Sequence, residues 1–215
     1  MPCLHKFRHY LDLENLNFLP TTLIIGTFNP SWPTDNYAQW FYGRTDNNNF
    51  WNVLPRIYNE ESLINANVER WKSFCRRQLI AITDLISCIE DADFALDQHN
   101  NWLKDYSDKN IAEKFQRHSF IEIVQLLQNN PSIKNVYLTR GIGDTFWRRK
   151  WIPVRNYCNQ KNIHCEELLT PSGFAFYQQG RHNKLYPENQ LNLSDFIFAK
   201  WKDKWHDVQI VELIS

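Results

Sequence analysis

Three short apolar runs, each emptying into a polar stretch, set the pattern of the chain. Leu23, Ile24 and Ile25 lead into Gly26. Leu79, Ile80, Ala81 and Ile82 lead into Thr83 and Asp84, and Val136 and Leu138 into Thr139 and Arg140, while 163–169 reads as a fourth strand that empties into Thr170. Unbroken apolar runs of this length predict strands buried on both faces, as in a parallel sheet. The strands are expected at 22–27, 79–84, 133–139 and 163–169. Between them the apolar spacing turns helical. Leu63, Val68, Trp71, Phe74 and Cys75 mark an amphipathic helix over 61–77, whose Arg76 and Arg77 suit a C-terminus. Phe120, Ile123, Val124 and Leu127 mark another that stops before Pro131. Phe146, Trp147, Trp151, Val154 and Tyr157 mark a third, in which Pro153 demands a kink or a fresh start.

Two helix starts carry cap signals. Asp46, Asn47 and Asn48 precede Phe50, Trp51, Val53 and Leu54, in a helix that should end or kink near Pro55. Ser194 precedes a last helix with Ile197, Trp201 and Trp205 on one face. Residues 87–107 read as polar and aperiodic with a partial helix, residues 1–20 as a segment packed across the sheet bottom, and 208–214 as an edge strand.

Strands alternating with helices imply parallel pairing through right-handed crossovers. The expected fold is α/β, a three-layer α/β/α sandwich around a mainly parallel four-stranded sheet, with all 215 residues in one domain. Ligands of such sheets sit beyond the carboxyl ends of the strands. Four polar exits converge there: Asn29 with the 30s loop, Thr83 with Asp84, Arg140 with Gly141 and Gly143, and Thr170 with Ser172. That defines a cleft and leaves its chemistry open.

Composition narrows the classes. Lys plus Arg and Asp plus Glu balance at 24 each, so a nucleic-acid role needs a local patch, for which Arg140, Arg148, Arg149, Arg181 and Lys184 are the candidates. The aromatic share is 15%, with nine Trp, enough to fill a core and leave rings over for stacking. No apolar run approaches the roughly 20 residues of a membrane span, and no charged-then-apolar leader pattern opens the chain, so a cytoplasmic protein with no membrane partner is expected. The five cysteines are scattered, which fits reduced thiols better than a disulfide framework. Cys158, His164 and Cys165 match no metal spacing. Gly141-Ile142-Gly143 lacks the third glycine of a dinucleotide fingerprint, and neither a Walker sequence nor a nucleophile elbow is present. Asp84 is a base or a loop anchor. His182, beside Arg181 and Lys184, is a surface imidazole or a phosphate contact.

Taken together, Gly26-Thr27-Phe28-Asn29-Pro30, Trp40-Phe41-Tyr42, Asn48-Asn49-Phe50-Trp51, Thr83-Asp84, the exit from Leu138 to Gly141, and Thr170-Pro171-Ser172 stand in the order of a known set. The chain resembles the uracil-DNA glycosylase superfamily, closest to its mismatch-specific and hypoxanthine-DNA glycosylase branches, over roughly residues 20–205. The resemblance implies a monofunctional DNA glycosylase of base excision repair, acting as a monomer on DNA with a damaged or mismatched base. It would flip the nucleotide out and hydrolyse the bond between a uracil- or hypoxanthine-class base and deoxyribose, without metal or cofactor. It further implies Asn48 as the catalytic amide, with Asn29 as the alternative. Gly26, Thr27, Phe28, Tyr42, Phe41, Thr170 and Ser172 would line the base and phosphate site. Arg140, Phe174, Phe176, Arg181, His182 and Lys184 would meet DNA. The sequence departs from the mismatch-specific branch at Phe28, where that branch has Asn, and at Thr170, where other branches place His, Asn or Leu. A nucleic-acid-binding protein that has lost catalysis is the alternative from another class, and a small-molecule enzyme on a similar sheet is the third.

Overall fold

A computed structural model describes residues 1–33, 36–104 and 106–206. In chain order its elements are β1 (Cys3–Leu4), β2 (Thr22–Gly26), α1 (Phe50–Ile57), α2 (Val68–Arg77), β3 (Ile80–Asp84), β4 (Ile86–Ile89), α3 (Asp97–Lys104), α4 (Asp108–Lys114), β5 (His118–Phe120), α5 (Ile123–Asn129), β6 (Asn135–Leu138), α6 (Thr145–Gln160), β7 (His164–Glu167), α7 (Phe176–Leu185) and α8 (Leu193–Lys202). Four strands form a wholly parallel sheet in the order β3-β2-β6-β7. Because side chains alternate along a strand, the sheet feeds two cores. Leu23 and Ile25 of β2, with Val136 and Leu138 of β6, pack with Leu126 and Leu127 of α5 and Trp147, Trp151 and Val154 of α6. Ile24, Ile80, Ile82 and Tyr137 face the other way, into Trp51, Phe74, Ile197 and Trp201 of α1, α2 and α8. This is the expected α/β/α sandwich.

The strands pair in a frame that levels their carboxyl ends. Gly26 lies opposite Asp84, and Ile25 lies opposite Leu138, which in turn pairs with Glu167. From β2 the chain goes to one side for β3 and then crosses to the other side for β6. The crevice where ligands of open sheets bind falls at such a reversal, here between the exits of β2 and β6.

Several elements differ from the sequence reading. A second, antiparallel sheet, β1-β4-β5, was not expected. Its middle strand follows β3 with Leu85 alone between them and runs into the stretch that read as aperiodic. Phe120 belongs to β5 and not to the helix that begins at Ile123. The 61–77 helix starts only at Val68, because the Asn67 side chain accepts from Arg70 N–H, and the last helix is capped by Asn192, not Ser194, with Trp205 beyond its end. Pro153 lies inside an unbroken α6. As expected near Pro55, α1 ends two residues beyond it; the missing proline N–H leaves the Trp51 carbonyl to Leu63 N–H, at 2.8 Å. Residues 1–20 do not all lie at the sheet bottom, which only their end reaches, with Pro20 O accepting from Ser132 Oγ. Their first half runs to the carboxyl edge, where His5 bridges to Pro30 and Lys6 N–H donates to Asn29 O at 2.7 Å. The edge strand read at 208–214 lies outside the described residues.

Candidate active site

Aromatic packing fixes the segment that follows β2. Trp51 is fully buried and stacks on Trp71 (centroids 5.0 Å apart) and on Trp40 (5.9 Å), while its Nε1–H donates to Phe41 O at 3.0 Å. This indole stack holds both the start of α1 and the Trp40-Phe41-Tyr42 turn. Tyr42 takes a left-handed backbone conformation (φ 55°), and its ring lies flat on that of Phe50, with centroids 3.8 Å apart and planes 4° from parallel. Its hydroxyl bonds Thr139 Oγ1 at 2.8 Å, so Tyr42 spans the crevice between the exits of β2 and β6. Burial and the Asp84 charge raise the Tyr42 pKa well above that of a free phenol.

Gly26 makes that arrangement possible. A Cβ there would collide with Asp84 Oδ1 and lie 2.8 Å from Tyr42 Oη. Gly26→Ala is therefore expected to cost about 1–3 kcal/mol through overpacking and to displace one of the two side chains. Urea denaturation would show the loss as a lowered midpoint.

Asp84, buried at the end of β3, accepts through one oxygen, Oδ2, from His5 Nε2 at 2.7 Å and from Asn29 Nδ2 at 2.8 Å. Next to it, Thr27 Oγ1 donates to Asp108 Oδ1 at 2.6 Å, and Asp108 Oδ2 lies 3.0 Å from Arg140 Nη1. Burial pushes the Asp108 carboxyl up, against the pull of Arg140, and pushes the Arg140 guanidinium down. Arg140 also lies over the Trp147 ring, 4.0 Å from its centroid. It is thus bound into the wall of the cleft rather than standing on its rim. Arg148 is likewise engaged, donating to Ile142 O and Gly143 O. Phe28 is buried, against the His5 ring, and Phe41 is buried among His5, Phe7 and Trp40.

The 47–49 and 171–173 segments are joined across the edge. Asn48 and Ser172 form an antiparallel bridge, Asn49 N–H donates to Pro171 O at 2.7 Å, and Gly173 N–H donates to Asn47 O at 3.2 Å. Asn49 is the backbone cap of α1 but makes no capping side-chain bond; the cap bond comes from Asn48, whose Oδ1 accepts from Phe50 N–H at 2.9 Å. Since that bond fixes which end of the amide is oxygen, Asn48 keeps its Nδ2 donors for something else. Thr170 Oγ1 and Ser172 Oγ are 2.9 Å apart; one hydroxyl of the pair donates to the other, which leaves one O–H to offer outward.

Beyond Ser172 the surface turns aromatic. Phe174, Phe176 and Tyr177 are 72%, 62% and 74% exposed. Arg181 and Lys184 are exposed on the same helix, α7. His182 is half-buried, with its ring 5.3 Å from that of Phe196. A chain of contacts therefore connects Asn29, Asp84, Gly26, Tyr42, Phe50, Asn48 and Ser172 along one sheet edge. His5, which joins this chain through Asp84, and Asp108, which joins Thr27 to Arg140, were missed by sequence reasoning, since their partners are distant, 79 residues away for His5, and no local pattern marks them. Among the described residues no group of three or more His, Cys, Asp or Glu side chains could hold a metal ion, and no helix is long and apolar enough to cross a membrane.

The fold and this edge define an α/β chain with an aromatic-lined crevice at its topological switch point. Its architecture is similar to the solution NMR structure of a "putative uracil DNA glycosylase" from Methanosarcina acetivorans, with a TM-score of 0.50 and 16% identity, over 89% of this chain and 94% of that one. At that identity the likeness is one of fold. No family model and no curated protein matches the sequence.

Proposed function

We propose that the protein is a DNA glycosylase of the uracil-DNA glycosylase type, releasing a deaminated base by hydrolysis of its bond to deoxyribose. The observation that carries this reading is the joining of 47–49 to 171–173 directly beside three solvent-exposed rings. It puts amide donors, a hydroxyl and stacking surfaces on one rim, as an extruded nucleotide requires. In the reaction water adds its oxygen to C1′ as the C1′–N bond breaks, the bonding pair leaves with the base, and the proton lost by the water ends on the base. The two amides divide the work. Asn48, with its oxygen committed to Phe50 N–H, offers N–H donors to the base as negative charge develops on it. Asn29, with an N–H committed to Asp84, offers its oxygen to orient the water. Tyr42, backed by Phe50, presents a ring for the flipped base, and the Thr170–Ser172 pair presents a hydroxyl to a phosphate.

The reading is tested by incubating the protein with labelled duplexes holding one uracil, hypoxanthine or xanthine, then cleaving at abasic sites. Strand cleavage at the modified position supports it, and intact strands with all three remove it. Binding without release in the same duplexes would favour the non-catalytic alternative. The exposed rings make a separate prediction. Phe174→Ala and Phe176→Ala bury little and should leave the melting temperature unchanged. Each lost base contact is worth roughly 1–3 kcal/mol, or about 5- to 150-fold in affinity. Fluorescence anisotropy with a labelled duplex measures it, and unchanged affinity in both variants would take the rings out of the interface.

A further inference from the structure

We propose that His5 and Asp84 are positioning residues that hold the Asn29 amide with its oxygen turned away from the carboxylate, making the segment around His5 part of the active site. The inference rests on the glycosylase reading for its chemistry, and on the hydrogen-bond pattern alone for its geometry. His5 Nδ1 accepts from Phe7 N–H at 2.9 Å, so that nitrogen carries no proton. The proton is on Nε2, which donates to Asp84 Oδ2 at 2.7 Å. The imidazole is thus a neutral, single-tautomer donor, and it is gripped by the rings of Phe7, Phe28 and Phe41, with centroids 5.6–5.9 Å away. Its side chain is fully buried, and that of Asp84 is 2% exposed.

A carboxylate that accepts on Oδ2 from a fixed imidazole can receive Asn29 only through Nδ2, at 2.8 Å. The Asn29 oxygen is thereby left without a hydrogen-bond partner among the described residues, on a side chain that is only half-buried. Backbone contacts fix the same loop from the other side: Lys6 N–H donates to Asn29 O, and Ser31 N–H donates to Leu4 O at 2.9 Å. An amide free to rotate would present N–H as often as oxygen; this one presents an acceptor. An acceptor orients water with a lone pair free for C1′, whereas a donor would compete for that lone pair. Asp84 itself touches neither water nor sugar in this scheme and acts through Asn29.

The test is a double-mutant cycle read in single turnover on whichever duplex the wild-type protein cleaves. Asp84→Ala is expected to lower the rate about 10²-fold with KM unchanged. Asp84→Asn, which keeps an oxygen facing both donors, should recover most of that loss. Asn29→Ala should lose as much as Asp84→Ala, and the double variant no more than Asn29→Ala alone, because Asp84 acts only through Asn29. His5→Ala, a milder change should Asp84→Ala not fold, is expected to lower the rate about 10-fold at constant KM. Additive losses, or wild-type rates in Asp84→Ala or His5→Ala, would overturn the proposal. Nitrogen-15 NMR of the imidazole reads the geometry independently of activity, with protonated Nε2 and bare Nδ1 expected. An imidazolium or the opposite tautomer would overturn it. If the wild-type protein releases no base from any duplex, the glycosylase reading fails, and the NMR result still decides whether the network exists.

Discussion

Asn48→Asp is expected to melt where the wild-type protein melts and yet release base roughly 10²–10³-fold more slowly, the usual loss for one positioned donor at a developing anion. The two halves separate because the side chain has two jobs. Its Oδ1 takes the Phe50 N–H at the start of α1, and Asp does this as well as Asn. Its Nδ2 donors have no equivalent in Asp, whose charge would oppose the departing base. Asn48→Ala loses both, adding a cap penalty of about 1 kcal/mol to the same rate defect. Asn47 and Asn49 are the controls: Asn47 joins the 171–173 segment through its carbonyl, and Asn49 through its N–H. Single-turnover rates and melting curves for all three positions decide the matter. A defect confined to Asn47 would move the assignment by one residue. Wild-type rates throughout would remove the triplet and leave Asn29 as the amide to test.

Trp51→Ala should lower stability by about 3–5 kcal/mol, a large part of the roughly 5–15 kcal/mol that holds a typical domain folded. The side chain is fully buried between two other indoles, so truncation leaves a cavity with faces that cannot close on each other. It also leaves Phe41 O without its donor. Trp51→Phe, which refills most of the volume, should lose much less. Urea titration followed by circular dichroism measures both, and a Trp51→Ala midpoint equal to that of wild type would refute the packing account. Because the same ring supports Phe50 and the turn that carries Tyr42, Trp51→Ala protein that does fold should also lose activity.

The parallel sheet was legible because strands buried on both faces leave uninterrupted runs such as Leu23-Ile24-Ile25, and because Gly26 and Asp84 mark where such runs must end. The pairing of Gly26 with Asp84, and the need for glycine there, follow only from the strand frame. The β1-β4-β5 sheet was not legible. Its strands are two to four residues long, too short for a period to emerge, and β4 is separated from β3 by Leu85 alone. A helix start was misplaced where two equally good caps stand close together, as with Asn192 and Ser194. Of the site, the four polar exits and the aromatic turn could be read as separate signals. That Arg140 is bound to Asp108 could not, because nothing near either residue in sequence announces the other.

The hydrogen bonds that assemble the site run between residues far apart in the chain: 55 apart for Asn29 and Asp84, 79 for His5 and Asp84, 97 for Tyr42 and Thr139, and 122 for Asn49 and Pro171. A phosphate-binding loop can be carried by a dozen consecutive residues; here no short peptide contains both partners of any of these four bonds. Closing loops of this size must precede the contacts that reward it. Function should therefore be the last property gained as the chain folds and the first lost as it opens, and grafting any single motif onto another sheet would transplant sequence without transplanting the site.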